Sequence, residues 1–250
     1  DAALLRSQGF SNLTVMTDSR AHALRFAGTR CIGVDFVQNG RETTVHAAAE
    51  VVISAGAVDS PRLLLLSGIG PATELRAAGV DVIHDLPGVG RNLHDHPLCG
   101  VVYEAAQPIP AARTNHAETS LLWRSDPSLA GPDMQLMFIH VPFHPPHLAA
   151  PPNSFTLAVA TVPDARGSIR LTGPDPDTPP LIDPNYLGGE SDVRRMVHGV
   201  EGAREIAAGE PFAPWRGREV LPGPGPAQSP GLPRAWVQDD ASSGTHACAM

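Results

Sequence analysis

The twenty residues from Val51 to Gly70, VVISAGAVDSPRLLLLSGIG, restrict the possible folds of this chain more than any other stretch. Val51–Ile53 is β-branched, so a strand is predicted over Glu50–Ser54, ending on Ala55-Gly56-Ala57. A buried strand that runs into a turn of small residues is the pattern of nucleotide-binding α/β sheets. Ser60 can cap a helix and Pro61 suits a first turn, so the helix is predicted to start there. Arg62–Ser67 is apolar nearly all round and must be buried, and Gly68 stops it. On physical grounds two readings stay open. One is a strand–turn–helix that only packs; the other lets a dinucleotide approach the backbone at the strand end, which only small residues permit.

The flanking segments read as follows. Ala21–Phe26, Cys31–Phe36 and Thr43–Ala47 are extended and separated by Gly28 and by Asn39-Gly40, a strong hairpin signal, which predicts a small antiparallel meander. Leu13–Met16 is a further short apolar run. Pro71–Ala78 reads as a short helix ended by Gly79, Val80–Leu86 as a returning strand, and Pro87–Pro97 as a loop rich in Gly, Asn, Asp and His. Cys99–Glu104, Met134–Val141, Phe155–Val162 and Ser168–Leu171 are extended segments between proline-rich connections, which predicts a mostly antiparallel sheet. Asp192–Ala207 is amphipathic, with Val193, Met196, Val197, Val200 and Ala203 on one stripe and a cap near Ser191. Residues 209–233 are dense in Gly and Pro and read as a surface loop, followed by a short helix over Arg234–Ala241. The fold class expected is α/β plus α+β.

Composition narrows the function. The formal charge of −8 argues against nucleic acid and against an anionic membrane surface, which both attract basic patches. All 18 basic residues are Arg. No apolar run approaches the roughly 20 residues of a membrane span, and no signal peptide opens the chain. Cys31, Cys99 and Cys248 form no CxxC pattern and are odd in number, as expected of reduced thiols in a cytoplasmic protein. The chain opens on Asp1 rather than Met, so a cut end is expected.

At this point the letters resemble the second signature of the glucose–methanol–choline (GMC) oxidoreductases. The resemblance lies in Ser54-Ala55-Gly56-Ala57, Ser60-Pro61, the Leu run and Ser67-Gly68-Ile69-Gly70. It continues through Leu86-Pro87-Gly88-Val89-Gly90, Asn92-Leu93 and Asp95-His96-Pro97. Asn12–Val15 followed by Gly33-Val34 is similar to the segment that reaches the adenine of FAD in that family. Its backbone contact falls on Ala21, to within about a residue. Arg166–Leu171 and Pro180–Tyr186 are similar to the start of the family's substrate domain. The resemblance covers Leu4–Pro97 and Asp164–Met250, while residues 98–163 match weakly. It implies a partial, Rossmann-like FAD-binding domain over residues 1–97 and a substrate domain over residues 98–250, clearest from 164. It further implies FAD as cofactor, Ala21, Ala55 and Gly56 as cofactor-binding residues, and a small-molecule alcohol as substrate. Oxygen and another carrier are both open as electron acceptor. The family's strand–GxGxxG–helix is absent, and a second catalytic His or Asn is expected beyond Met250, so a fragment is implied.

The resemblance also places a catalytic His after a late helix, and His246 aligns with it. A rival alignment, anchored on Cys248 and Met250, puts Ser243 there instead. Oxidising an alcohol removes the hydroxyl proton, which suits a neutral imidazole, and moves a hydride, which suits a flavin. The other histidines point elsewhere. His94 and His96 flank Asp95 at a spacing open to a metal, but a structural hydrogen-bonding role fits that loop better. His140, His144 and His147 lie in a proline-rich stretch that does not converge them, and His116 stands alone. No metal site is expected. Two alternatives stay beside alcohol oxidation: a hydroxynitrile-lyase-like member of the family, and an inactive remnant without FAD.

Overall fold

A computed structural model describes residues 9–144, 147–223 and 237, and the chain divides into two compact units. The first holds the chain up to Gly90 together with Ile169–Ile182; the second holds Arg91–Ser168 and the chain from Asp183 on. The fold is mixed α/β with mostly antiparallel sheets. Among the described residues no helix is long and apolar enough to cross a membrane.

In the first unit the meander is present as predicted. β1 (Ser19–Ala27), β2 (Arg30–Gln38) and β3 (Arg41–His46) form a three-stranded sheet in chain order. Asn39 and Gly40 turn the second hairpin with φ of 52° and 75°, the left-handed pair that the right-handed strand twist demands. The β1–β2 register steps from Ala21↔Phe36 to Ala23↔Asp35, so His22 is the extra residue of a bulge.

The strand expected over Glu50–Ser54 does not form. The segment has no ladder partner among the described residues, and Val52 is 76% exposed. A β-branched run becomes a strand only when another strand satisfies its backbone. Leu13–Met16 is also unpaired, with Leu13, Val15 and Met16 exposed. Helix α1 (Gly56–Leu66) begins five residues earlier than a Ser60 cap with Pro61 in the first turn would place it. The Ser60 hydroxyl instead accepts the N–H of Ala55 at 3.0 Å, and Pro61 inside the helix forfeits one intrahelical bond. Leu63 and Leu65 bury the inner face. β4 (Ile69–Gly70) and α2 (Ala72–Ala77) follow. The strand expected over Val80–Leu86 shrinks to β5 (His84–Asp85), parallel to β4. The N–H groups of Ile83 and His84 both go to the single carbonyl of Gly68, at 2.8 and 3.1 Å, which stops the ladder from extending.

The second unit is built on a five-stranded sheet. After β6 (Arg91–Leu93) come β7 (Leu98–Ala105), β8 (Thr119–Trp123), β9 (Met134–Ile139) and β10 (Ser154–Thr161). β11 (Gly167–Arg170) and β12 (Leu181–Asp183) bracket the chain's excursion into the first unit; α3 (Glu190–Ala208) and β13 (Arg216–Leu221) complete the order. The large sheet runs β13-β7-β10-β9-β8, with β10 buried along its whole length. α3 lays Val193, Met196, Val200 and Ala203 on a core that includes Val101, Phe155 and Leu157, all at most 3% exposed. The predicted stripe is therefore the packing face, although Ser191 does not cap the helix. Gly189 precedes it, and the buried Asp192 carboxylate accepts the N–H groups of Asp164 and Ala165 at 2.7 and 3.0 Å. β13 lies inside the Gly/Pro-dense stretch read as a loop, and β6 inside the Pro87–Pro97 loop. Both are short strands held by distant partners, β7 and β11. Of the helix expected over Arg234–Ala241 only Val237 is described, and it is fully buried.

Candidate functional site

In the first unit, β1 is fastened across the C-terminal end of α1. The buried N–H of Leu24 donates to the Ser67 hydroxyl at 2.8 Å, and that hydroxyl donates to the Leu63 carbonyl at 2.6 Å. Ser67 is thus a two-way clip between strand and helix. Between them lies a cavity of about 300 Å³, a volume at the lower end of small-molecule sites.

Ala21 and Ala55, named from the sequence, line this one cavity. Ala21 belongs to β1, next to the bulge at His22; Ala55 is the residue before α1. Gly56 follows Ala55 at the helix start and is not among the lining residues. Its φ is 84°, in the left-handed region, and a Cβ placed there meets no protein atom within 4 Å, so the space beside it is open. Gly90, from the same family-like run, has a different job. A Cβ there would lie 2.2 Å from the Ile169 carbonyl oxygen, and Ile169 donates its N–H to the Gly90 carbonyl at 2.8 Å. That glycine permits close packing, not ligand approach.

The polar lining includes residues that the motifs did not single out: Arg20, Asp59 and Arg62. Arg62 was legible in principle, because a lone cation inside a leucine run must find partners when the helix is buried. It donates to the carbonyls of Pro176 and Thr178 at 2.6 and 3.1 Å and to Asp59 at 3.2 Å. Arg20 pairs with Asp177. The lining holds two guanidiniums and one carboxylate, and each guanidinium is compensated, Arg62 by Asp59 in the wall and Arg20 by Asp177 outside it. Leu63, Leu66 and Pro176 supply apolar surface. Such a lining suits a flat, neutral heteroaromatic ring with polar edges better than a phosphate, which draws on uncompensated positive charge.

In the second unit, Asp95 lies between His94 and His96, as the motif has it. Its carboxylate accepts the Tyr186 hydroxyl at 2.5 Å and the N–H of His96 at 2.8 Å. Desolvation first, and then the Asp95 hydrogen bond and charge, push the Tyr186 phenol well above its ordinary value. The loop residue is therefore a clasp onto the Pro180–Tyr186 segment. His140 sets its ring edge-on to Phe138 and takes a backbone bond from its own N–H to the His116 carbonyl at 3.0 Å. Cys31 and Cys99 are not in disulfides, and the Cys99 thiol donates to the Val237 carbonyl at 3.8 Å. His246, Ser243 and Cys248 lie outside the described residues.

Family models described as GMC oxidoreductase match residues 1–98 and residues 163–250. The chain belongs to the GMC oxidoreductase family. It is 41% identical to choline oxidase of Arthrobacter globiformis over 222 residues, covering 85% of this chain and 41% of that protein. It is 33% identical to the mitochondrial choline dehydrogenase of Homo sapiens over 262 residues, covering 94% and 44%. The structure is similar to crystalline pyridoxine 4-oxidase from Mesorbium loti, with a TM-score of 0.87 at 33% identity over 93% of this chain and 46% of that one. The GMC chain thus spans about half the length of the curated relatives it matches. The stretch between the two matched segments is the one whose resemblance was weak in the sequence. GMC oxidoreductases are FAD flavoproteins. The cavity's small side chains and paired charges are compatible with the adenosine end of that cofactor.

Proposed function

We propose that the protein is an FAD-dependent oxidoreductase acting on the CH–OH group of a small-molecule alcohol. Residues 1–97 contribute part of the FAD-binding domain and residues 98–250 the substrate domain. The observation that supports this most directly is the meeting of Ala21 and Ala55 at one cavity, beside the open left-handed Gly56. Choline and pyridoxine, which the relatives' names give as their substrates, both carry a primary hydroxyl.

FAD, when bound, supplies the hydride acceptor. The chain's own residues do the rest. The Ala21 backbone reads the adenine edge, and Ala55 and Gly56 admit the dinucleotide close to the main chain. His246 takes the hydroxyl proton as the hydride leaves carbon, the work of a neutral imidazole with a pKa near the working pH.

The test is the absorbance spectrum of the purified, FAD-supplied protein, followed by single-turnover bleaching with alcohols. A flavin spectrum that an alcohol bleaches is expected. His246→Ala should slow bleaching by about 10²–10⁴-fold and leave FAD bound. Retained flavin without bleaching, together with cleavage of a cyanohydrin, would replace oxidation by a lyase reaction. Absence of flavin would make the chain an inactive remnant. Unchanged bleaching in the variant would move the base away from His246.

A further inference from the structure

The excursion Ile169–Ile182 into the first unit has a consequence for the cavity, through two contacts of very different strength. Arg62 is the firm one. Its side chain is only 18% exposed, it rises from the partly buried helix α1, and it holds the Asp175–Thr178 turn through the Pro176 and Thr178 carbonyls. Pro176, a cavity wall, is fixed by it. The loop's own shape does not use the Asp177 carboxylate: the Asp175 side chain accepts the N–H of Asp177 at 2.8 Å, and the Asp175 carbonyl accepts the N–H of Thr178 at 3.1 Å. The Asp177 carboxylate pairs with Arg20, a residue of the cavity lining on β1. That pair is the loose contact, with side chains 53% and 69% exposed.

Arg20 immediately precedes Ala21, the residue assigned to the adenine. From this we infer that Asp175–Thr178 is a latch on the cavity, hinged at Arg62 and closed by the Arg20–Asp177 ion pair, and that this pair is a positioning device for the adenine. The inference rests on the reading of the cavity as an adenosine site. Exposed ion pairs are weak and salt-screened, so closure is partial and reversible. A ligand held by the closed form inherits that sensitivity even when it carries no charge of its own.

Neutral adenosine is therefore the discriminating probe, titrated into the full chain and followed by ligand-observed NMR at about 20 mM and about 500 mM NaCl, where the Debye lengths are roughly 20 and 4 Å. The wild-type chain is expected to bind adenosine more weakly at high salt. Asp177→Asn, which leaves the Asp175 turn intact, should weaken low-salt binding by about twofold to fivefold, equivalent to roughly 0.4–1 kcal/mol, and remove the salt response. The charge exchange Arg20→Asp with Asp177→Arg should restore both. Wild-type affinity and salt response in Asp177→Asn would overturn the latch and leave the adenosine site standing, as would an exchange variant no better than the single one. No adenosine binding by the wild-type chain would overturn the reading of the cavity itself, and the latch with it.

Discussion

Replacing Asp192 by Asn is the sharpest test of how the second unit is held together. The carboxylate is fully buried, with an Arg195 guanidinium nitrogen at 2.5 Å and the N–H groups of Asp164 and Ala165 at 2.7 and 3.0 Å. These three partners are all donors. Asn is isosteric, but it turns one acceptor into an NH₂ that must face a donor, and it removes the charge that Arg195 and the first turn of α3 both favour. Breaking a buried ion pair typically costs about 3–5 kcal/mol, most of it from the charge left behind. Here Arg195 keeps the Asp164 carboxylate at 2.8 Å and Asp133 at 3.7 Å, and Asp164 is exposed, so neither the guanidinium nor the Asp164 N–H is stranded. The expected loss is accordingly about 2–3 kcal/mol. Urea unfolding followed by intrinsic fluorescence would read this as a midpoint lowered by about 1 M with an unchanged slope. Hydrogen exchange should show Ala165 losing protection beyond the global change. A variant within about 0.5 kcal/mol of wild type would refute the claim that the three donors need a carboxylate.

Two further outcomes follow from particular side chains. Desolvation, reinforced by Glu219 at Tyr103 and by Asp95 at Tyr186, pushes both phenols of this two-tyrosine chain well above 10.0. The folded form therefore loses stability as pH rises above that value, and tyrosinate absorbance should stay silent near pH 11, where an ordinary phenol is about 90% ionised, until unfolding releases both together. Reversible ionisation of either in the folded protein near pH 10 would count against its placement. Gly56→Val should cost about 1–3 kcal/mol through backbone strain at a φ of 84°, and its side chain would fill the open space beside the cavity, abolishing FAD retention; normal flavin content in a folded variant would remove Gly56 from the site.

What the residues disclosed in advance follows the range of the forces involved. Asn39-Gly40 and the Val193–Ala203 stripe were readable because a left-handed turn and a helix face are decided within a few residues. Val51–Ile53 was misread because the same β-branched letters make a strand only when a distant segment supplies its hydrogen bonds, and no described segment does. β13 failed in the opposite direction: Arg216–Leu221 sits among prolines and glycines, yet a register with β7 makes it a strand. The site divides along the same line. Ala21 and Ala55 stand 34 positions apart and nothing in their periodicity joins them; only family resemblance put them at one dinucleotide, and one cavity holds both. Arg62 carried a physical signal of its own, a largely buried charge in an apolar helix, but two of its partners are backbone carbonyls more than a hundred residues away, which side-chain pattern cannot name. The wall of the cavity was therefore hidden in the Asp-Pro-Asp-Thr loop, whose letters read as an ordinary turn. It became a candidate part of the binding site only because the fold returns that loop to α1.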